Sequence, residues 1–205
     1  MKYLELREQL KNRLLFSLRD IQKIDQKFYR SRLNDWQKKG YIKKIIKNYY
    51  LFCDQHVEEK TLFFVANKIY NPSYISLEMA LAYYQLIPES TYGITSVTTK
   101  KTSVFKTTIG DFNYQSIKPS LFFGYDLVNF NGVKIKIAEI EKAIIDFFYL
   151  NSYLKNKDDF EGLRVNKEEL LAKWDEEKLK KYLLIFNSKS LTKRLQSFIN
   201  FMNND

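Results

Sequence analysis

The sequence predicts an α+β fold, in which an N-terminal winged helix-turn-helix is followed by a mixed α/β module with an antiparallel sheet and C-terminal helices. Three observations support this prediction. Helical periodicity up to Gly40 gives way to a β-hairpin pattern, and strand-like runs then fill residues 93–138. Residues 1–52 contain 14 Lys and Arg against 5 Asp and Glu, whereas the other 153 residues contain 20 against 19. A basic module therefore precedes a nearly neutral one, as expected for a protein that binds a polyanion.

The composition limits the class of protein. A chain of 205 residues with 45% apolar side chains has room for two small domains, which we predict at residues 1–53 and 54–205. The single cysteine, Cys53, excludes an internal disulfide. The N-terminus has acidic residues where a signal peptide needs an apolar stretch, and no apolar run approaches the ~18 residues of a membrane helix. We therefore expect a cytoplasmic protein with no membrane partner.

Two short helices are predicted at the start of the basic module. The first spans residues 3–15, and its apolar positions recur at helical spacing: Tyr3, Leu6, Leu10 and Leu14. Ser17 then stands three residues before Asp20, so that the hydroxyl can cap a second helix and the carboxylate can complement its N-terminus. The apolar side of this second helix consists of Leu18, Ile21 and Ile24.

The third helix is the candidate recognition element. Asp25 can cap it, and the helix is predicted to continue to about Lys39 and to end at Gly40. Helical periodicity predicts a core-facing stripe of Tyr29, Leu33 and Trp36. The opposite face and one flank carry side chains that can bind phosphates or base edges: Lys27, Ser31, Asn34 and Lys38, with Arg30 and Gln37 beside them. We expect this face to enter the major groove of DNA.

A basic β-hairpin is predicted directly after the third helix. Residues 41–45 and 49–52 are β-prone runs around the turn Ile46-Lys47-Asn48. Its lysines, which would lie along the phosphate backbone, are Lys43, Lys44 and Lys47. The alternative is a small helical subdomain with a solvated basic face. The order of helix, helix, basic helix and basic hairpin favours a DNA-binding module.

The second module is predicted to place helices around a sheet. The strand candidates are residues 94–98, 103–107, 112–117 and 121–128, followed by the alternating Val133, Ile135 and Ile137 after an Asn131-Gly132 hairpin turn. The predicted helices are residues 57–70, 76–85 with Ser76 as the cap, 139–150, 166–174, 176–186 and 189–202. The helix at 139–150 is apolar and should pack on the sheet.

Three stretches, taken in order, carry a family resemblance. They are the hairpin from Gly40-Tyr41-Ile42 to Asn48-Tyr49-Tyr50, the segment YISLEMAL at residues 74–81, and the segment AEIEKAIID at residues 138–146. Over about Leu14 to Leu150 the chain resembles the AbiEi family, the antitoxin and transcriptional-repressor half of abortive-infection toxin–antitoxin operons. Two glycines usual in that family are replaced here, by Lys47-Asn48 before the last tyrosine of the hairpin and by Gln85 after the second motif.

The resemblance implies an antitoxin and transcriptional autoregulator of a type IV toxin–antitoxin system that acts in phage defence. It implies that residues 54–205 form the antitoxin module and that the protein represses its own operon by binding duplex operator DNA, for which inverted repeats are expected. It also implies that the protein counteracts a cognate nucleotidyltransferase-like toxin, for which a stable complex is not required.

The sequence gives little support for catalysis. His56 is the only histidine and has no partners at metal-ligand spacing beyond the incidental Cys53 and Asp54. Phosphate-binding loops, dinucleotide-binding motifs and nucleophile elbows do not occur. We therefore expect no enzymatic activity, no metal and no cofactor.

The acidic residues at which catalysis is conceivable are interpreted as structural residues. Two nuclease-like triplets, Glu58-Glu59-Lys60 and Glu176-Glu177-Lys178, lie in predicted helices without a strand-borne partner acid. Glu139 and Glu141 suit a helix N-terminus, and Asp146 is expected to hydrogen-bond locally. Two alternatives to a DNA-binding regulator remain: an RNA-binding interaction protein, which basic helices and exposed tyrosines also suit, and a metal-dependent nuclease.

Overall fold

The computed structural model describes residues 1–88 and 93–204, which form a mixed α+β fold. Its helices are α1 (Tyr3–Gln9), α2 (Leu18–Gln22), α3 (Ser31–Lys38), α4 (Glu59–Ile69), α5 (Leu77–Tyr83), α6 (Ile140–Leu150), α7 (Lys157–Gly162), α8 (Lys167–Lys173), α9 (Glu176–Phe186) and α10 (Lys189–Asn204). Its strands are β1 (Phe16–Ser17), β2 (Ile42–Ile46), β3 (Tyr49–Phe52), β4 (Ser73–Ile75), β5 (Ile94–Thr98), β6 (Ser103–Thr107), β7 (Gly110–Ser116), β8 (Tyr125–Phe130) and β9 (Val133–Ala138). The predicted α+β class is confirmed.

The N-terminal elements surround a small antiparallel sheet in the order β1-β3-β2. Strand β1 pairs with β3 through Phe16 and Tyr50, and β2 pairs with β3 from Ile42 to Ile46, where a bulge shifts the register. Helices α1, α2 and α3 supply the other side of a compact apolar cluster. Its buried members are Leu6, Leu10, Phe16, Ile21, Phe28, Leu33, Trp36, Ile42, Tyr50 and Phe52.

The first two helices are shorter than the sequence periodicity predicts. Helix α1 ends at Gln9, not at Leu15 as predicted, and Leu15 is instead buried in the larger apolar cluster of the protein. The predicted cap of α2 is confirmed. The Ser17 hydroxyl accepts a hydrogen bond from the backbone N–H of Asp20, and the Asp20 carboxylate accepts one from the N–H of Ser17. Ile24, predicted on the apolar side of α2, is exposed.

The second sheet has six strands in the order β6-β7-β5-β4-β9-β8. The predicted antiparallel sheet is wrong in two places, because β4 pairs in parallel with β9 and β5 in parallel with β7. Strand β4 was missed by the periodicity argument, since three consecutive buried residues show no alternation. Strand β8 begins at Tyr125, not at Leu121, because Pro119–Leu121 forms a 3-10 turn. The predicted hairpin turn between β8 and β9 is confirmed, with positive φ at Asn131 and Gly132.

The two apolar clusters approach each other at the basic hairpin. Ile45 of β2 and Leu51 of β3 belong to the larger cluster, as does Leu15 just before β1. Strand β2 also lies against β6 of the second sheet. Apolar side chains of the hairpin thus enter both clusters, while Lys43 and Lys44 of β2 are exposed.

The centre of the larger module is a buried polar network. The Asp146 carboxylate on α6 accepts hydrogen bonds from the Tyr74 hydroxyl (2.8 Å), the Ser76 hydroxyl (2.9 Å) and the ammonium group of Lys142. Lys142 Nζ also donates to the Tyr74 hydroxyl (2.7 Å) and lies about 5 Å from the ring centres of Tyr74, Phe123 and Phe186. Burial raises the pKa of Asp146 and lowers the pKa of Lys142, so each charge depends on the other.

This network corrects two sequence predictions. Ser76 stands at the N-cap position of α5, but its side chain makes no capping hydrogen bond because its hydroxyl is directed to Asp146. Asp146 bonds locally to Lys142, four residues earlier, as expected, and it also reaches Tyr74, 72 residues away. The carboxylate thus joins β4 to α6 and is not a purely local feature.

We predict that Asp146→Ala lowers the free energy of unfolding by about 3–5 kcal/mol, because it leaves Lys142 as a buried charge without a counter-ion. Urea unfolding followed by circular dichroism measures this loss. Glu176→Ala is the matched control, since Glu176 forms an exposed i,i+4 ion pair with Lys180, and it should leave the unfolding midpoint nearly unchanged. Equal losses for the two variants would contradict the structural role assigned to the network.

Candidate nucleic-acid interface

The candidate recognition helix begins later than predicted. The sequence placed its start at Asp25, whereas α3 begins at Ser31. Residues 25–28 form a separate turn, in which the Asp25 carboxylate accepts the N–H of Lys27 (3.1 Å) and the Asp25 carbonyl accepts the N–H of Phe28 (3.0 Å). The C-terminal boundary is confirmed. Gly40 adopts a φ of +70°, and the N–H of Tyr41 donates to the carbonyl of Trp36 (2.9 Å), which is the geometry of a Schellman cap.

The delayed start changes which aromatic residue faces the core. Tyr29 was predicted in the core-facing stripe, but its side chain is 72% exposed, so this prediction is wrong. Phe28 is buried in its place, with its ring 5.3 Å from the ring of Trp36. The physical reason is the turn at residues 25–28, which breaks the helical register that was extrapolated backwards from Leu33. The predicted burial of Leu33 and Trp36 is confirmed.

The outward face of α3 is polar and basic. Arg30, Ser31, Asn34 and Lys38 are all exposed. Gln37 is half-buried, and its Nε2 donates to the carbonyl of Leu33 within the same helix (3.0 Å), so its amide is directed along the helix and not outwards. Lys27 is exposed but belongs to the turn before α3. The predicted residues thus form a surface of one exposed helical face and the turn that leads into it.

The hairpin displays the three lysines that the sequence singled out. Lys43 and Lys44 are consecutive and both exposed, with the buried Ile42 and Ile45 on either side. In the register of β2 with β3, Lys43 stands opposite Leu51 and Lys44 opposite Tyr50, so the two lysines lie on opposite faces of the hairpin, and the bulge follows between Lys44 and Ile46. Lys47, also exposed, lies in the turn, where Asn48 adopts a φ of 72°. Asparagine tolerates this left-handed conformation, so the turn closes without a glycine.

Ion pairs engage part of the charge in both parts of the chain. Three lysines on α8 and α9 pair with carboxylates: Lys173 with Glu169, Lys178 with Glu139 and Glu141, and Lys180 with Glu176 and Glu177. Several acids of the first part are also engaged. Asp20 binds Arg13, Asp25 binds the N-terminal amine, and Glu8 binds Lys11. Within residues 1–88 and 93–204, the cations of the candidate surface form no ion pair: Lys27, Arg30, Lys38, Lys43, Lys44 and Lys47.

The most catalysis-like group of side chains is sealed from solvent. Lys142, Asp146 and Tyr74 have no exposed surface, so a substrate has no path to them in this conformation. Glu139 and Glu141 at the start of α6 share Lys178 of α9. The Tyr182 hydroxyl donates to Glu139, and burial together with this hydrogen bond raises the pKa of Tyr182 to about 12. These acids hold α9 against α6.

The other candidates for chemistry do not converge. In the part of the chain that the structure describes, no three His, Cys, Asp or Glu side chains come together as a metal site. His56 is exposed, and the triplets at residues 58–60 and 176–178 coincide with the starts of α4 and α9.

An open groove lies between α9 and α10. Leu184, which is 79% exposed, contributes to it, together with lysine, asparagine, serine, threonine and glutamine side chains. Among the described residues, its lining contains no carboxylate, histidine or cysteine. The groove therefore suits apolar contact more than acid–base chemistry.

Comparisons of the chain with models of known protein families and with curated proteins give no match. Among the described residues, no helix has both the length and the apolar character needed to cross a membrane. The function is therefore inferred from the geometry and charge of the surface around α3 and the hairpin.

We predict that Trp36→Ala lowers the free energy of unfolding by roughly 3–5 kcal/mol, because truncating a large aromatic side chain leaves a cavity in the small cluster around Tyr3 and Phe28. Tyr29→Ala, on the exposed side of the same segment, is the matched control and should leave stability nearly unchanged. Thermal unfolding of the two variants measures the difference. A stable Trp36→Ala variant that had lost nucleic-acid binding would instead make Trp36 a base-stacking residue.

Proposed function

We propose that this chain is a DNA-binding transcriptional repressor whose N-terminal part is a winged helix-turn-helix. The order α1-β1-α2-α3-β2-β3 and the sheet order β1-β3-β2 support this assignment, because they place one helix and one hairpin beside each other on a small sheet. The observation that carries the proposal is the set of six uncompensated cations on α3, on the turn before it and on the hairpin. A surface of this kind releases counterions when it binds a polyanion.

The geometry divides the surface into two roles. The exposed face of α3, with Arg30, Ser31 and Asn34 in and just before its first turn, is the part that enters the major groove and contacts base edges. The hairpin, with the exposed Lys43 and Lys44 on β2 and Lys47 in its turn, lies along the phosphate backbone and fixes the orientation.

The AbiEi-like function is part of this proposal, and two features support it. The positions at which the usual glycines are replaced both have positive φ, 72° at Asn48 and 64° at Gln85, so the backbone keeps the conformation that a glycine would favour. The two motifs at residues 74–81 and 138–146 meet in the hydrogen bonds of Asp146 with Tyr74 and Ser76. On this proposal, the chain represses its own operon and counteracts a nucleotidyltransferase-like toxin.

The second activity is assigned to residues 54–205, as an interaction or toxin-countering module without catalysis. Its Lys142–Asp146 pair is sealed from solvent, and Lys178 and Lys180 on α9 are paired with carboxylates. With 20 Lys and Arg against 19 Asp and Glu after residue 52, this module is nearly neutral, and we do not assign it a second polyanion site.

An RNA-binding interaction protein is the second candidate, and the exposed rings of Tyr29 and Tyr41 favour it. Single-stranded RNA is bound by stacking of unpaired bases on such rings. Competition between duplex DNA and a structured RNA of equal charge separates the two proposals. A DNA-binding repressor should prefer the duplex DNA, whereas stronger competition by the RNA would favour the second candidate.

We predict that variants of α3 and of the hairpin differ in their effect on specificity. Arg30→Ala and Asn34→Ala should each weaken binding to an operator duplex, selected from a random library for binding to the wild-type protein, by about 1–3 kcal/mol. They should weaken binding to random duplex DNA less, because base contacts discriminate between sequences. Lys43→Ala and Lys44→Ala should weaken binding to both DNAs alike and reduce the salt dependence, because phosphates carry no sequence information. Fluorescence anisotropy at several salt concentrations measures both effects.

Lys180→Ala is the control for these variants, because Lys180 is paired with glutamates of its own helix and should leave DNA binding unchanged. Equal losses on specific and random DNA for the α3 variants would show that α3 does not contact bases. Unchanged binding for all four variants would overturn the proposed interface.

We also predict that repression and rescue are separable. The double variant Lys43→Ala/Lys44→Ala should lose repression of a reporter under the operon promoter and should still protect cells from the cognate toxin, because the toxin-countering function is assigned to residues 54–205. Reporter activity and cell survival are measured in the same strain. Residues 1–53 alone should not protect cells. Rescue by that fragment would contradict the division of functions.

A further inference from the structure

Tyr29 is an exposed aromatic side chain on a fixed backbone. Its carbonyl accepts the N–H of Arg32 (3.1 Å), and this hydrogen bond forms the turn that leads into α3. The preceding residue, Phe28, is buried in the small apolar cluster. The ring of Tyr29 is 72% exposed, and in the described part of the chain it contacts no other aromatic ring and its hydroxyl has no hydrogen-bond partner. The backbone position is thus determined while the side chain remains available.

The surroundings of Tyr29 distinguish it from an ordinary exposed aromatic residue. Lys27 and Arg30, two of the uncompensated cations, are its near neighbours in the chain, and Ser31 begins α3 two residues later. Single exposed apolar side chains are common on protein surfaces and need no explanation. This one, however, stands at the N-terminal end of the helix that the proposed function places in the major groove, where residues of a recognition helix contact base edges.

The chemistry of the ring selects one partner in that groove. Donors and acceptors line the major-groove edges of all base pairs, and the 5-methyl group of thymine is the one apolar group there. A tyrosine ring offers apolar surface to a methyl group and keeps its hydroxyl at the polar rim. The charged ends of the adjacent Lys27 and Arg30 suit phosphates or guanine edges instead.

We propose that Tyr29 contacts the 5-methyl group of a thymine in the major groove and is a specificity-determining residue of the DNA-binding surface. This inference rests on the proposed function and assigns to the operator an A·T pair opposite the start of α3. Each recognition helix that binds the operator places one such ring against one thymine.

The test compares thymine with uracil, which differ only in the methyl group. Duplexes that bind the full-length protein are first selected from a random library, and each thymine of the selected site is then replaced singly by deoxyuridine. The wild-type protein should bind about fourfold more weakly when one particular thymine per half-site is replaced, which is the effect of one buried methyl group. Tyr29→Ala should bind the thymine duplex more weakly and should not distinguish it from the uracil duplex. Tyr29→Phe should retain the discrimination.

Tyr153→Ala is the matched control, since Tyr153 is 64% exposed and lies between α6 and α7. It should retain the affinity and the uracil sensitivity of the wild-type protein. Circular dichroism confirms that each variant is folded.

Three results would overturn the inference and leave the proposed function intact. The first is a sequence-selective wild-type protein that is indifferent to uracil at every position. The second is a Tyr29→Ala variant that keeps the full uracil sensitivity. The third is a Tyr29→Phe variant that binds DNA as weakly as Tyr29→Ala and keeps the uracil sensitivity of the wild-type protein. The hydroxyl of Tyr29 would then be the group that binds DNA, at a phosphate, and the ring would not contact the thymine. Absence of binding to any duplex DNA, or Tyr29-dependent preference for single strands, would overturn the proposed function and this inference together.

Discussion

The larger part of the structure depends on a single buried carboxylate. Asp146 has no solvent exposure, and burial raises its pKa, so its charge is maintained by the hydrogen bonds from Lys142, Tyr74 and Ser76. Removing one partner of such a buried group leaves the others uncompensated, which is why a network of this kind admits few alternative packings. It joins the central strand β4 to α6, and the aromatic rings around Lys142 bring α9 into the same core.

The proposed DNA-binding surface is held by this frame. Helix α6 and the sheet enclose the larger apolar cluster, and Leu15, Ile45 and Leu51 of the basic part belong to that cluster. The hairpin therefore contributes apolar side chains to both clusters, while Lys43, Lys44 and Lys47 are exposed and form no ion pair within the described residues. The excess of Lys and Arg in residues 1–52 thus becomes a basic surface, because Asp20 and Asp25 are engaged by Arg13 and the N-terminal amine while the hairpin cations have no such partner among the described residues.

Elements governed by local rules were predictable from the sequence, and those governed by long-range contacts were not. The Ser17–Asp20 cap, the Gly40 helix end, the Asn131-Gly132 hairpin and strands β5 and β6 follow from side-chain chemistry within a few residues. The predicted start of α3 was wrong because a turn held by Asp25 replaces the first part of the predicted helix. The helical periodicity extended over that turn then placed Tyr29 in the core, whereas its side chain is exposed. Strand β4 forms by pairing with β5 and β9, and the Ser76 hydroxyl is directed to Asp146, 70 residues later; no local pattern reveals either contact.

The most direct test of the account is a lysine footprint of the full-length protein with and without duplex DNA, in which acetylation of each lysine is quantified by mass spectrometry. At low salt, DNA should protect the lysines of the uncompensated surface: Lys27, Lys38, Lys43, Lys44 and Lys47. The lysines of the groove between α9 and α10 should react equally in both samples: Lys180, Lys189 and Lys193. Protection confined to lysines of residues 54–204, or no protection at all, would contradict the assignment of the nucleic-acid interface to α3 and the hairpin.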